Sequence, residues 1–128
     1  MVGKTALNKE MKHLNGAYFR TIISKENMKT SIEFNKALRF LDCGKIERAV
    51  EILQTVINNA QNEEDDLLFI QSNCVLGELY FDCDDFDKSK SYLETALNRM
   101  NDSGLDEDLF DYEKSTALKI LSKLNNNY

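Results

Sequence analysis

The stretch LGELYFDCDDFDKSKSYLETAL, from Leu76 to Leu97, decides how this chain folds. Leu76, Gly77 and Tyr80 recur at helical spacing, the run from Asp82 to Asp85 interrupts them, and Phe86, Ser89, Leu93, Ala96 and Leu97 resume the pattern. Apolar and small residues three and four apart lay a single stripe along a helix. Either Asp84 or Asp85 is placed to cap the second helix with its carboxylate. Two helices joined by so few residues must run antiparallel. The stretch therefore reads as a helical hairpin whose apolar face needs a neighbour to cover it.

Working outward, the same pattern returns at a spacing of 40: Ala37, Gly77 and Ala117 form one series, and Phe40, Tyr80 and Ile120 another. A fixed period between 20 and 50 residues marks an array built from one supersecondary unit. Upstream, Thr30-Ser31-Ile32-Glu33 has the form of a reciprocal capping box, followed by a stripe of Phe34, Ala37, Leu38 and Leu41. Gly44 falls where a left-handed residue ends a helix, and Ile46, Ala49, Val50, Leu53, Val56, Ile57 and Ala60 supply the next stripe. Asn62 to Asp66 reads as a polar, acidic loop between units, after which Leu67, Ile70 and Cys74 restart the pattern. Asn101 to Gly104 ends the second unit. A last helix from about Asp106 to Leu124 carries Leu109, Phe110, Ala117, Ile120, Leu121 and Leu124 behind an acidic first turn that suits the positive end of the helix dipole.

Before the first unit, Leu7, Met11, Leu14, Tyr18 and Ile22 predict an N-terminal helix, which Gly16 either kinks or divides into two. The expectation is one all-α domain over 1–128, with an N-terminal helix at 5–25, a first repeat at 30–61, a second at 65–101 and a capping helix at 105–124. No proline, no tryptophan and five glycines agree with helices joined by short turns.

Leu76-Gly77-x-x-Tyr80, then Asp84-Asp85-Phe86, Ser89, Leu93 and Ala96-Leu97, resembles the tetratricopeptide repeat signature, with Ser89 where alanine is usual. The first unit keeps Ala37, Phe40, Gly44, Ile46, Ala49 and Leu53 at the same offsets, but has Lys36 where leucine is common and Val56 where alanine is common. The last helix, with Ala117 and Ile120 on repeat positions, is similar to the solvating cap that closes many such arrays. The resemblance implies antiparallel hairpins stacked as a short right-handed superhelix, with Ala37, Ala49, Gly77, Ser89 and Ala96 permitting close helix approach. The period exceeds the family's usual length of about 34, which implies long helices, as in kinesin light chains and bacterial peptide sensors.

The resemblance also implies a concave groove lined by the first helix of each unit, through its second, fifth, sixth, ninth, twelfth and thirteenth positions. Those fall on Ser31, Phe34, Asn35, Leu38, Leu41 and Asp42 in the first unit. In the second they are Gln71, Cys74, Val75, Glu78, Phe81 and Asp82, and in the third Asp111, Lys114, Ser115, Leu118, Leu121 and Ser122. Family members that grip acidic C-termini place Lys, Arg and Asn there, because a carboxylate needs several donors in fixed geometry. This chain sets Asn35 and Lys114 against Asp42, Glu78 and Asp82, which speaks against such a clamp. The expected partner-binding residues are Phe34, Asn35, Leu38, Asp42, Gln71, Glu78, Phe81, Asp82 and Lys114. An acidic rim around apolar anchors suits a segment carrying Lys or Arg beside apolar side chains. Phe34, Leu38 and Phe81 also read as ordinary core.

Charge narrows the partners. Sixteen basic against 22 acidic residues leave a net charge of −6, with no basic cluster beyond two adjacent residues, so direct nucleic-acid binding is not expected. No apolar run approaches the 18 or so residues a membrane span needs. The three cysteines lack a Cys-x-x-Cys pair, and Cys43 and Cys83 lie 40 apart at equivalent positions, which points to packing rather than bridging. Without a recognisable signal peptide, the expected location is cytoplasmic.

Catalytic and metal chemistry finds little support. Val2-Gly3-Lys4-Thr5 ends like a phosphate-binding loop but lacks the earlier glycine and the preceding strand. Asp82, Asp84, Asp85 and Asp87 crowd together, yet a calcium loop's sixth-position glycine and twelfth-position glutamate are Asp87 and Leu93. His13 is the only histidine, and no cysteine spacing pairs with it for zinc or nucleophilic work. The expectation is no cofactor, no metal and no enzyme. What remains is a protein–protein interaction module, acting as an adaptor, a chaperone or a neutralising, immunity-type antagonist on a basic or apolar segment. A peptide-sensing regulatory domain, with Asn35 holding the peptide backbone, and a structural module that self-associates as a homodimer are the alternatives.

Overall fold

The computed structural model describes the backbone of residues 16–127 and, Glu107 apart, the side chains of residues 28–126. Among the described residues five α-helices follow one another: α1 (Gly16–Asp42), α2 (Ile46–Asn62), α3 (Asp66–Asp82), α4 (Phe86–Ser103) and α5 (Asp111–Asn127). A 3-10 turn at Glu107–Phe110 leads into α5, and there is no strand among the described residues. The molecule is all-α, as the periodicity predicts.

One expected boundary is absent. From Gly16 the helix runs unbroken through Thr30 into the first unit, so Thr30 does not cap a helix start. Nothing from Lys25 to Lys29 is a glycine or proline that would stop a helix there. Thr30, 2% exposed, instead donates its hydroxyl to both carboxylate oxygens of Glu63 at 2.9 Å, which ties α1 to the turn after α2. The part of the expected N-terminal helix at residues 5–15, the Val2-Gly3-Lys4-Thr5 motif and His13 lie outside the described residues.

The three turns after α1, α2 and α3 are copies of one another. The amides of Cys43, Glu63 and Cys83 donate to the carbonyls of Arg39, Asn59 and Leu79 at 3.1, 2.8 and 3.1 Å. Those of Lys45, Asp65 and Asp85 reach back to Phe40, Ala60 and Tyr80 at 2.8, 2.8 and 2.9 Å. Between them, Gly44, Glu64 and Asp84 take the left-handed conformation with φ of 77°, 58° and 62°. The turn between units is thus as tight as the turn within each hairpin, where the sequence suggests a looser acidic loop at 62–66. Glycine adopts this conformation freely, whereas a residue with a Cβ is strained by about 1–2 kcal/mol. Asp65 caps α3 by accepting from the Leu68 amide at 3.1 Å, and Asp85, not Asp84, caps α4 from Lys88 at 3.3 Å. Cys43 and Cys83 open two of these turns and are exposed, so neither serves the packing role their spacing suggests.

α3 is the centre of the array. Phe34 and Ala37 from α1, Leu53, Val56 and Ala60 from α2, and Leu68, Phe69 and Leu76 from α3 form one core. On its other side Ile70 and Cys74 meet Ala96 and Phe110, while Leu93 meets Ala117, Ile120 and Leu124. The members of the 40-residue series, Ala37, Gly77 and Ala117, are all buried. At Gly77 the approach is close: a Cβ there would collide with the Leu93 side chain, and Ser89 Oγ donates to the Gly77 carbonyl at 2.7 Å.

Candidate functional site

The first helices of the three units converge on one cavity of about 230 Å³. Phe34 and Leu38, one turn apart on α1, form one wall. From α3 come Gln71, Cys74, Val75 and Glu78, whose spacing of three, four and seven places them on a single helical face. The opposite wall is Tyr112, Glu113, Thr116 and Ala117 of α5, with Leu93 of α4 at the base.

Four of the expected site residues, Phe34, Leu38, Gln71 and Glu78, therefore share one cavity. Asn35 and Asp42 are exposed on α1, and Asp82 is exposed at the end of α3, one turn beyond Glu78. Phe81 lies half-buried against Phe86 at 5.8 Å between ring centroids and joins the packing around Leu93, and it does not line the cavity itself. Lys114 is also elsewhere: with Met100, Asn101, Gly104, Leu105 and Phe110 it lines a second cavity of about 250 Å³.

α5 differs most from the register of the repeat. The series at 40 puts Lys114, Ser115 and Leu118 toward the groove, yet α5 presents Tyr112, Glu113, Thr116 and Ala117 to the cavity. The signal was present in the helix's own stripe. Phe110, Ala117, Ile120 and Leu124 are buried, and Glu113 falls on that stripe, three residues after Phe110 and four before Ala117. A carboxylate set among core positions is the mark of a charged group facing an inner surface.

The cavity is electrically unbalanced. Glu78 and Glu113 both border it, and neither has an ion pair or hydrogen bond among the described residues. The ion pairs that do form, Lys88–Asp85 and Arg99–Asp66, involve none of its lining residues. Partial burial pushes the Glu78 carboxyl above the ordinary glutamate range, and the negative charges of Asp82 and Glu113 push it further. Burial drives the Cys74 thiol up to about 12, with Glu113 and Glu78 adding to the effect. The thiol is thus protonated at neutral pH and lends the floor neither charge nor nucleophilicity. Among the described residues no cluster of three or more His, Cys, Asp or Glu could hold a metal ion, and no helix is long and apolar enough to cross a membrane.

The hairpin that builds the middle of the site is also the part related to known proteins. Residues 70–99, spanning most of α3 and α4, match the family model of the tetratricopeptide repeat. The chain is a tetratricopeptide-like helical repeat protein. No curated protein and no solved structure matches it. Tetratricopeptide repeats are in general protein–protein interaction modules.

Proposed function

We propose that this tetratricopeptide-like chain is a non-catalytic, cytoplasmic binding module that takes a basic segment with apolar flanks from a partner protein into the groove formed by α1, α3 and α5. The observation that carries the reading is the cavity itself, with apolar walls from Phe34, Leu38 and Val75 and two carboxylates that have no cation partner among the described residues. Phe34 and Leu38 anchor apolar side chains, Gln71 holds backbone, and Glu78 with exposed Asp42 and Asp82 attracts the basic residues. Asn35 lies beside this surface, and Phe81 supports the end of α3. Lys114 sits in its own cavity and takes an acidic group further along the same partner. Such a module acts by occupancy, as an adaptor, a chaperone or a neutralising antagonist, because the work is done when the partner's surface is covered.

Selection of displayed random 12-residue peptides on the full chain tests this. Enriched sequences should pair Lys or Arg with Leu, Ile or Phe, and the Glu78→Lys, Asp82→Lys double variant should lose them. Enrichment of acidic peptides, or enrichment indifferent to the charge reversals, would count against the reading. A homodimer is the second reading, favoured by Met28 and Ile32, one turn apart on α1 and 59% and 57% exposed. Sedimentation of a monomer at tens of micromolar rules it out.

A further inference from the structure

We infer that the cavity between α1, α3 and α5 is a subsite for one long cationic side chain, arginine or lysine, which the partner inserts with its stem along the apolar walls and its charge between Glu78 and Glu113. This rests on the reading of the groove as a partner surface. It goes further by naming what fills the cavity.

Size comes first. A volume of about 230 Å³ lies below the roughly 300–1,000 Å³ of cavities that enclose drug-sized ligands, and matches a single side chain better than a folded segment. The lining then sorts the candidates. An apolar side chain would strip water from Glu78 and Glu113 and leave both carboxylates without a partner, the costliest way to bury a charge. An acidic one would add a third negative group to two that already repel. A neutral polar one would satisfy at most one carboxylate. A long cationic side chain suits both parts of the wall, because its methylene stem lies comfortably on Phe34, Leu38 and Val75 while its charged end reaches the carboxylates. Gln71 and Thr116 add oxygen acceptors for the remaining N–H groups.

No described basic residue already does this work. Arg99 is committed to Asp66 and Lys88 to Asp85, Lys123 lies over the Phe81 ring, and Lys114 lines the other cavity. The two carboxylates also belong to different units, Glu78 to the middle one and Glu113 to the last helix. A cation between them therefore bridges α3 and α5, and binding reports on the relative placement of two units.

Amide chemical-shift mapping of the isotopically labelled full chain tests the inference with three probes: N-acetylarginine amide, N-acetyllysine amide and N-acetylcitrulline amide. Citrulline keeps arginine's length and planar end but carries no charge and has a carbonyl in place of one terminal NH2 group. The two cationic probes should produce saturable shifts at Val75, Glu78, Thr116 and Ala117, with citrulline about five-fold weaker or worse, the scale of a partly exposed ion pair. The Glu78→Gln, Glu113→Gln double variant should bind arginine no better than citrulline, and Glu78→Gln alone should fall between. Both variants relieve like-charge repulsion, and retained spectral dispersion confirms the fold.

Equal affinity for arginine and citrulline, or shifts confined to other surfaces, overturns the inference. So does movement of the cavity amides in the unliganded chain when Lys4, Lys9 and Lys12 are changed to Gln, because the chain's own N-terminal stretch would then be the occupant. Peptides that bind the groove without dependence on a Lys or Arg at the cavity overturn the subsite and leave the partner reading standing. Arginine amide that binds while no peptide is ever selected does the reverse.

Discussion

Replacing Gly77 with alanine separates a requirement for backbone freedom from a requirement for space. Gly77 lies inside α3 with ordinary helical geometry, so alanine alone would favour the helix by about 0.5–1 kcal/mol. Against this, an ideal Cβ at position 77 would stand 2.5 Å from Leu93 Cγ, well inside the 3.5–4.0 Å at which carbon atoms pack. Leu93 is fully buried and packs with Ala117, Ile120 and Leu124, so its side chain gives way only by disturbing that cluster or by turning toward the cavity it borders. The strain is shared between the Leu93 side chain and a shift of α4 away from α3. Overpacking of this kind costs about 1–3 kcal/mol, and the shift also weakens the Ser89-to-Gly77 hydrogen bond at 2.7 Å, worth about 1 kcal/mol. The net expectation is a loss of about 2 kcal/mol, or a fall in Tm of roughly 8 °C for a chain of this size. Urea denaturation of wild type, Gly77→Ala, Leu93→Ala and the double variant measures it. Leu93→Ala alone should cost about 2–5 kcal/mol, and the double variant should be more stable than the sum of the two by at least about 1 kcal/mol, because the new methyl enters the vacated space. A Gly77→Ala protein as stable as wild type, or strictly additive losses, would refute the claim that close approach of α3 and α4 selects glycine.

Four further outcomes follow from individual contacts. Ser72 is fully buried and its hydroxyl has no hydrogen-bond partner among the described residues, so Ser72→Ala should raise stability by about 1 kcal/mol in the same titration. Glu64 holds φ of 58° on an exposed turn, and Glu64→Gly should raise Tm by the equivalent of about 1 kcal/mol, with a smaller gain for Asp84→Gly because aspartate tolerates that conformation better. Arg99 stacks on Phe69 at 3.9 Å and bonds to Asp66 at 3.0 Å and Gln61 at 2.6 Å; Arg99→Ala should cost about 1–2 kcal/mol, and lysine should not restore it because it has neither the planar face nor the fork. For Glu78 the folded carboxyl has its pKa raised by burial, Asp82 and Glu113, so the folded state binds the proton more tightly than the unfolded one and stability falls as pH rises from the ordinary glutamate range through the raised value. Among the described residues of α1 and α4, Phe34, Leu38 and Leu93 face the cavity, and they add no charge. Glu78→Gln should therefore be more stable than wild type at neutral pH and equal to it near pH 3; an advantage that persists unchanged at pH 3 would contradict the assignment.

The helices and their order were readable because period and chemistry agreed. Ala37, Gly77 and Ala117 recur as small residues on the packed faces of their helices, and the structure buries all three. The turns were only half readable. Their common geometry recurs every 20 residues at Gly44, Glu64 and Asp84, but only the first is the residue type that announces a left-handed position. At Glu64 and Asp84 the tertiary fold imposes a conformation against local preference, so the acidic run at 62–66 looked like a loop. Thr30 misled in the opposite direction: threonine and glutamate three apart suit a helix start, but a partner from another turn can use the same hydroxyl inside a helix.

The site was legible only as far as the strict repeat reaches. Phe34, Leu38, Gln71 and Glu78 follow from applying one register to the first two units. Glu113 does not, because it stands at the fourth position of its unit while Glu78 stands at the ninth of the one before. No single register brings those two carboxylates to one surface. They meet because α5 is the last described helix and packs on α3 and α4 through its own stripe of Phe110, Ala117, Ile120 and Leu124, which turns a different flank toward the groove. Repetition thus fixes how the helices stack, while the charge that distinguishes this groove arises where the last helix departs from the repetition. A change that rotated α5 by one residue, such as altering the 3-10 turn at Glu107–Phe110 that sets its start, should therefore abolish recognition of a cation while leaving the α1–α4 core intact. Alanine at Asp106, whose carboxylate caps that turn by accepting from the Asp108 amide at 3.2 Å, is the mildest way to ask.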